Sequence, residues 1–313
     1  MTGSRAQTPA DPAPHPLHAA LARGDELIAR SGPALHRILA VEDRSLLSEA
    51  VVAQVSGMLA DLADQLVAAR GASIEPVAAR EAVAARLLLV DALRTHCQAL
   101  ALEWRLAVKL EAELAIDPVL SPLIQALVAD ADPNVGAVAM AVLAAQARFA
   151  QSQRRMQLPL GELPAELFHA ALLAAREAVA AAGQDDAARA EARLRAGYEE
   201  GAGRLALLAR LVATAGGIPT PMPTLEDGGV ALWLSTLAAR SGEDRERTAC
   251  AAADPLLGRL LLTLRAAGVA PAEAERQALR TQPDAVLPRG LQDIGTREAA
   301  QWLAEARAWA RSP

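Results

Sequence analysis

Aromatic side chains are scarce: they make up 2% of the 313 residues, as four Trp, two Phe and one Tyr. Strands draw on β-branched and aromatic residues alternating with polar ones, and no stretch alternates in that way. That excludes a β-rich architecture. Cysteine is as sparse. Cys97 and Cys250 lie far apart, without a Cys-x-x-Cys pair or His at ligand spacing, which argues against a disulfide scaffold and fits a reducing compartment. Lysine occurs once, at Lys109, and the formal charge is −6 with a pI near 5.5. Nucleic-acid binders carry a basic stripe, whereas here arginines are scattered among acids at helical spacing. No nucleic-acid partner is expected, and the acidic balance also disfavours an anionic membrane surface. The longest uncharged apolar run, 133–147, falls short of the ~20 residues a bilayer span needs. Residues 1–16 are rich in Pro and Ala with no apolar core of a secretory signal. A cytoplasmic protein without membrane association is the expectation.

What is present is alanine, leucine and arginine in helical spacing. Hydrophobic residues reach 52%, much of it alanine, the best helix former. The fold class expected is all-α, built from stacked helical hairpins that are HEAT-like but irregular, with a smaller C-terminal helical subdomain. The division reads as a disordered tail over 1–16, a helical domain over 17–215, a Pro/Gly-rich linker over 216–228 and the subdomain over 229–313.

The stretch from Ser45 to Arg70 is the clearest amphipathic helix. Leu47, Val51, Val55, Met58, Leu62 and Leu66 form its apolar stripe, with Gln54, Gly57, Asp61, Asp64 and Gln65 opposite. Before it, Ser31-Gly32-Pro33 is expected to break a first helix. A single helix over 76–116 would be unusually long, so a break is expected inside it. Asp132 can cap a helix whose first position holds Pro133, and Asp254-Pro255 repeats the device. Gly197, Gly201 and Gly203 mark a kink or break in the helical stretch 185–215. After the Pro/Gly run, short helices are expected at 229–240, 243–252, 255–267, 271–280 and 296–311.

At Leu127-Val128-Ala129-Asp130-Ala131-Asp132-Pro133-Asn134-Val135 the chain resembles a HEAT-type repeat, in which an Asp-Pro turn joins paired helices. Gly136 departs from that pattern, where a basic residue is common. Two longer stretches resemble a bacterial all-helical family classed only as a domain of unknown function. One runs from Met140 to Phe149 with Glu162 to His169; the other spans Gly229 to Leu234, Ala239 to Gly242 and Leu262 to Gly268. The resemblance implies a HEAT-like helical body and transfers no catalytic residue.

Candidate chemistry is thin. Glu166 and His169 have the Glu-x-x-His spacing of a di-iron ligand pair, but such sites need a second copy, and none exists. A helix-surface pair is the preferred reading. His96 and Cys97 are neighbours and point about 100° apart on a helix, so they form no dyad. Cys97 falls on the Leu93/Leu100/Trp104 stripe as a small core residue, and His96 is expected near the polar boundary. His36 lacks the phosphate-binding loop a phosphotransfer histidine would accompany. The acidic pairs Glu199/Glu200, Glu226/Asp227 and Glu243/Asp244 read as helix-start charges. Trp104 and Trp233 read as core. Trp302 and Trp309, seven apart on the terminal helix, either dock it on the body or serve as candidate anchors for a partner. No catalytic, cofactor-binding or metal residue is assigned. The expected function is a non-enzymatic protein-interaction or scaffold protein, whose partner is another protein or a second copy of itself. The alternative is a helical enzyme or ligand sensor with a pocket near the 216–228 loop.

Overall fold

The computed structural model describes residues 16–40, 48–70, 76–178, 184–214 and 222–309. Within them the chain is all-α, with no strand. The 45–70 stripe becomes α2 (Glu49–Ala68), and Val51, Val55, Met58, Leu62 and Leu66 are all buried. The expected break in 76–116 falls at Leu89–Val90, separating α3 (Pro76–Leu88) from α4 (Asp91–Leu114). Asp117 and Pro118 follow α4, and α5 (Pro122–Val128) joins α6 (Pro133–Arg154) in a hairpin. As expected, Asp132 accepts the Asn134 N–H at 2.8 Å and Pro133 opens α6 without needing a donor.

Two local expectations are corrected, at 31–33 and at Asp254-Pro255, and a third is sharpened. The helix α1 (Pro16–Ala40) runs through 31–33. An interior proline removes one backbone bond, and that loss kinks a helix without having to end it. Of the kink or break expected at Gly197, Gly201 and Gly203, the chain takes the break: the 185–215 stretch divides into α8 (Gln184–Ala196) and α9 (Arg204–Thr214), joined through a short 3-10 turn at Glu200–Ala202. Asp254-Pro255 does not start a helix. It forms the turn after α11 (Arg245–Ala253), and α12 (Gly258–Ala266) begins only after Leu257 takes a left-handed φ of 55°.

The expected linker is partly helical. Residues 215–221 lie outside the described residues, but Thr224 caps a turn that opens α10 (Leu225–Ser241). Gly229, at φ 63° and ψ 167°, interrupts it before the main run, so the expected start at 229 is close. That run is apolar all round: Val230, Ala231, Leu232, Trp233, Leu234 and Leu237 are all buried. A helix without a polar stripe belongs inside a protein. Accordingly α10 bridges two cores. One runs from Leu17 to Leu303 through most of the helices; the other joins α5, α6 and α9 to Ala231 and Leu232. The 229–313 region therefore shares its core with the helices before it.

Around α10 the C-terminal helices close the body: α11, α12, α13 (Pro271–Thr281) and α14 (Thr296–Trp309). Trp233 is fully buried and donates its Nε1–H to Gln277 Oε1 at 2.6 Å. Lys109 Nζ donates to the carbonyl of Thr281 at 2.9 Å, tying α4 to the end of α13. Gly258 lets α12 meet α1 at backbone distance: a Cβ there would stand 2.7 Å from the Ala20 carbonyl carbon and 2.8 Å from Leu21 N. Among the described residues α2 alone has the length and hydropathy to cross a membrane, and half of that stretch is buried in the body.

Candidate functional site

A deeply buried charge sits on α4. Glu103 is 2% exposed, beside Trp104 on a helix with more than half of its residues buried. A lone buried carboxylate would be strongly disfavoured, so partners must come from elsewhere. They come from α9 and α11. Arg204 grips both oxygens of Glu103 at 2.8 and 2.9 Å, and Arg245 grips the same two at 2.8 and 2.9 Å. Planar guanidinium forks suit this bidentate pairing. Burial pushes the Glu103 carboxyl up, but the two guanidinium groups outweigh it and hold it well below the usual carboxylate range.

Neighbours complete the clamp. Gln146 on α6 accepts from Arg204 at 3.0 Å and donates to the Pro118 carbonyl at 2.8 Å. The Arg204 guanidinium lies 3.7 Å from the centre of the Phe149 ring. Arg245 also donates to Ser235 Oγ at 3.0 Å. Five helices, α4, α6, α9, α10 and α11, are thereby locked at one point.

Beside the clamp a cleft of about 250 Å³ opens between the end of α6, the 155–162 segment and the start of α9. Arg148, Ser152, Arg155, Gln157, Glu162 and Arg204 are among its lining residues. Its outer wall is held by the polar face of α2, whose role differs from a plain solvated face. Gln54 donates to the Gln153 carbonyl at 2.7 Å and to its Oε1 at 2.9 Å. Gln65 donates to the Leu158 carbonyl and accepts from Leu160 N, both at 2.9 Å, while Asp61 accepts from Leu158 N at 3.0 Å. Burial raises the Asp61 carboxyl. Gly57 meets Met156 directly: a Cβ there would fall 2.4 Å from the Met156 Cβ. Met156 itself takes a left-handed φ of 56°, so this wall is set by packing against local preference.

A second ionic centre lies at the α1–α12 seam. Arg259, 3% exposed, pairs with Asp25 of α1 and with Glu243, and Arg307 of α14 stands 3.0 Å from Glu243 Oε1. Burial raises the Glu243 carboxyl, and the arginines only partly offset it. Asp254 is also raised by burial, and its Oδ2 has no hydrogen-bond partner among the described residues. Glu243 is therefore a buried ion-pair member rather than a helix-start charge, because Arg259 draws it inward.

The remaining sequence candidates fall as follows. His96 is 2% exposed, not at a polar boundary, because α11 covers that side of α4 and supplies Glu246 at 3.1 Å from its Nδ1. That hydrogen bond holds the Glu246 carboxyl below its usual range. Burial drives the thiols of Cys97 and Cys250 up to about 12, so neither is a nucleophile near neutral pH. Glu166 and His169 are both exposed, and His169 Nδ1 lies 2.9 Å from Arg195. Glu200 accepts from Ala165 N at 3.1 Å, and Glu226 pairs with Arg280 at 3.0 Å. Trp104 and Trp233 are core residues as expected. Trp302 is half-buried with its ring edge-on to His18 of α1 at 5.3 Å, filling the seam between α14 and α1. The side chains of Trp309 and His36 lie outside the described residues. Near the 216–228 loop, Met222 and Leu225 are packed at 6% and 0% exposure, and neither lines the α6–α9 cleft.

Sequence reading missed the clamp because its members stand 101 and 142 residues apart and share no motif. One signal was available: an acid embedded in the run Leu100-Ala-Leu-Glu103-Trp-Arg-Leu106 beside an apolar stripe. Compared with protein-family models, curated proteins and solved structures, the chain matches none of them.

Proposed function

We propose that this chain is a cytoplasmic, non-enzymatic interaction protein, a HEAT-like helical body that presents its outer surface to another protein or to a second copy of itself. The clamp on Glu103 carries the reading. An acid at such depth has great electrostatic leverage, and an enzyme would aim it at a substrate. Here both of its oxygens are filled by two arginines, and its leverage goes into fixing helices against one another. A body locked at one point by five helices offers a rigid face, and rigidity lowers the entropic cost of association.

The test is in-cell photo-crosslinking of the full chain, followed by mass spectrometry and sedimentation of the purified protein. The expected outcome is a defined set of crosslinks from outer helix faces to one partner or to a second copy. A chain that stays monomeric and uncrosslinked in every condition overturns the reading.

A further inference from the structure

We propose that the cleft at the end of α6 is a binding site for a small organic anion bearing carboxylate or phosphate oxygens, gripped by Arg148 and Arg155. The charge of the surroundings points that way. Arg148, Arg155 and Arg204 line the cleft, and Arg245 stands behind Arg204; Glu162 on the lining, Glu103 behind Arg204 and Asp61 behind Leu158 are the acids set against these four arginines. A chain of net charge −6 thus concentrates positive charge at one concave place.

The arginines divide their work. Arg204 is turned onto Glu103 and Gln146, so its part is to supply field. Arg148 and Arg155 are exposed at the rim, and neither has an ion-pair or hydrogen-bond partner among the described residues. Arg148 stands near the end of α6 and Arg155 is the first residue past it, with Ser152 of the last turn between them in sequence. Glu162 is occupied in turn, because its Oε2 accepts from Arg204 N at 2.7 Å. The hydroxyl of Ser152 and the amide of Gln157 add neutral donors on the same wall.

The carbonyl end of a helix would normally repel an anion. Here the chain itself answers those carbonyls: Gln157 N donates to Ser152 O at 2.9 Å, and Met156 N to Gln153 O at 3.0 Å. Hydrogen bonds donated by Gln54 and Gln65 and accepted by Asp61 already hold the wall in place, so binding orders little of it. The volume of about 250 Å³ admits a small molecule and not a folded partner or a peptide helix.

The inference is independent of the protein-interaction reading, since a small anion binds whether or not a protein partner exists. Calorimetric titration of the full chain with inorganic phosphate, pyrophosphate and citrate separately, each against sodium chloride of matched ionic strength, tests it. Saturable binding of at least one is expected, the three arms separating phosphate from carboxylate recognition. The double variant Arg148→Gln/Arg155→Gln should unfold at the same denaturant midpoint as the parent and bind about tenfold or more weakly, as expected for lost charge-assisted contacts. Glu162→Gln should bind as well as the parent or better. No saturable binding of any of the three at millimolar concentration, or unchanged affinity in the double variant, overturns the proposal.

Discussion

Two buried glutamates, each among arginines, behave in opposite ways. Glu103 and Glu243 both have side chains 1% exposed. Glu103 is held well below the usual carboxylate range, whereas Glu243 is raised. Burial works in the same direction at both, so the difference lies in the partners. Glu103 receives two parallel hydrogen bonds from each of two guanidinium groups that serve no other acid. Glu243 shares Arg259 with Asp25, its Oε1 receives no hydrogen bond although Arg307 is near, and Asp244 adds negative charge beside it. Depth sets the penalty for a charge; the number of undivided donors decides whether it is recovered.

The comparison can be broken most forcefully at Glu103. Glu103→Gln strands Arg204 and Arg245, the former 2% exposed, and should destabilise the chain by about 3–5 kcal/mol in urea unfolding. A change below about 1 kcal/mol would mean that the clamp does not hold the helices together. Next in size is Gly258→Ala. Its Cβ would press on the backbone of Ala20 and Leu21, displacing the helix that delivers Asp25 to Arg259. A loss of about 1–3 kcal/mol is expected, with faster amide exchange in α1 and unchanged protection around Glu103. Glu243→Gln is milder, about 1–2 kcal/mol, because Arg259 keeps Asp25.

The finest distinction is in pH. The depressed Glu103 carboxyl contributes stability that is present above its unfolded pKa of about 4.3 and fades as pH falls below it. The raised Glu243 carboxyl has the opposite sign: its contribution is most favourable below about pH 4.3 and is lost as pH rises through its folded pKa. The stability gap between parent and Glu103→Gln should therefore widen with rising pH, and that between parent and Glu243→Gln should narrow. Each slope is bounded at about 1.4 kcal/mol per pH unit for a single group. Parallel slopes from chemical denaturation at a series of pH values would contradict the contrast.

How much was legible in advance follows from the range of each signal. The α2 stripe and the Asp132-Pro133 start rest on residues within a turn or two of one another, and the break within 76–116 rests on the length of the run; each was readable. Asp254-Pro255 carries the same local signal as Asp132-Pro133 and behaves differently. There Leu257 turns left-handed as the chain brings Gly258 against Ala20, a contact more than 200 residues away in sequence. Range also explains the missed site. The polar face of α2 was visible, but not that Gln54 and Gln65 hold the 153–160 segment. The centrality of α10 could have been read from its lack of a polar face, yet the Pro/Gly run before it drew attention to separation. His96 was misplaced because the second helix covering α4 comes from residues 245–253.

Lys109 gives this body an unusual handle. It is the sole side-chain amine, and it is spent on the carbonyl of Thr281. A positive charge at that spot also complements the negative end of α13. Acylation of Lys109 demands that its Nζ first leave the Thr281 carbonyl, so its labelling rate reports how often this tether between α4 and the end of α13 opens. One reagent and one side-chain adduct thus read a local opening equilibrium that lysine-rich proteins bury under many competing amines.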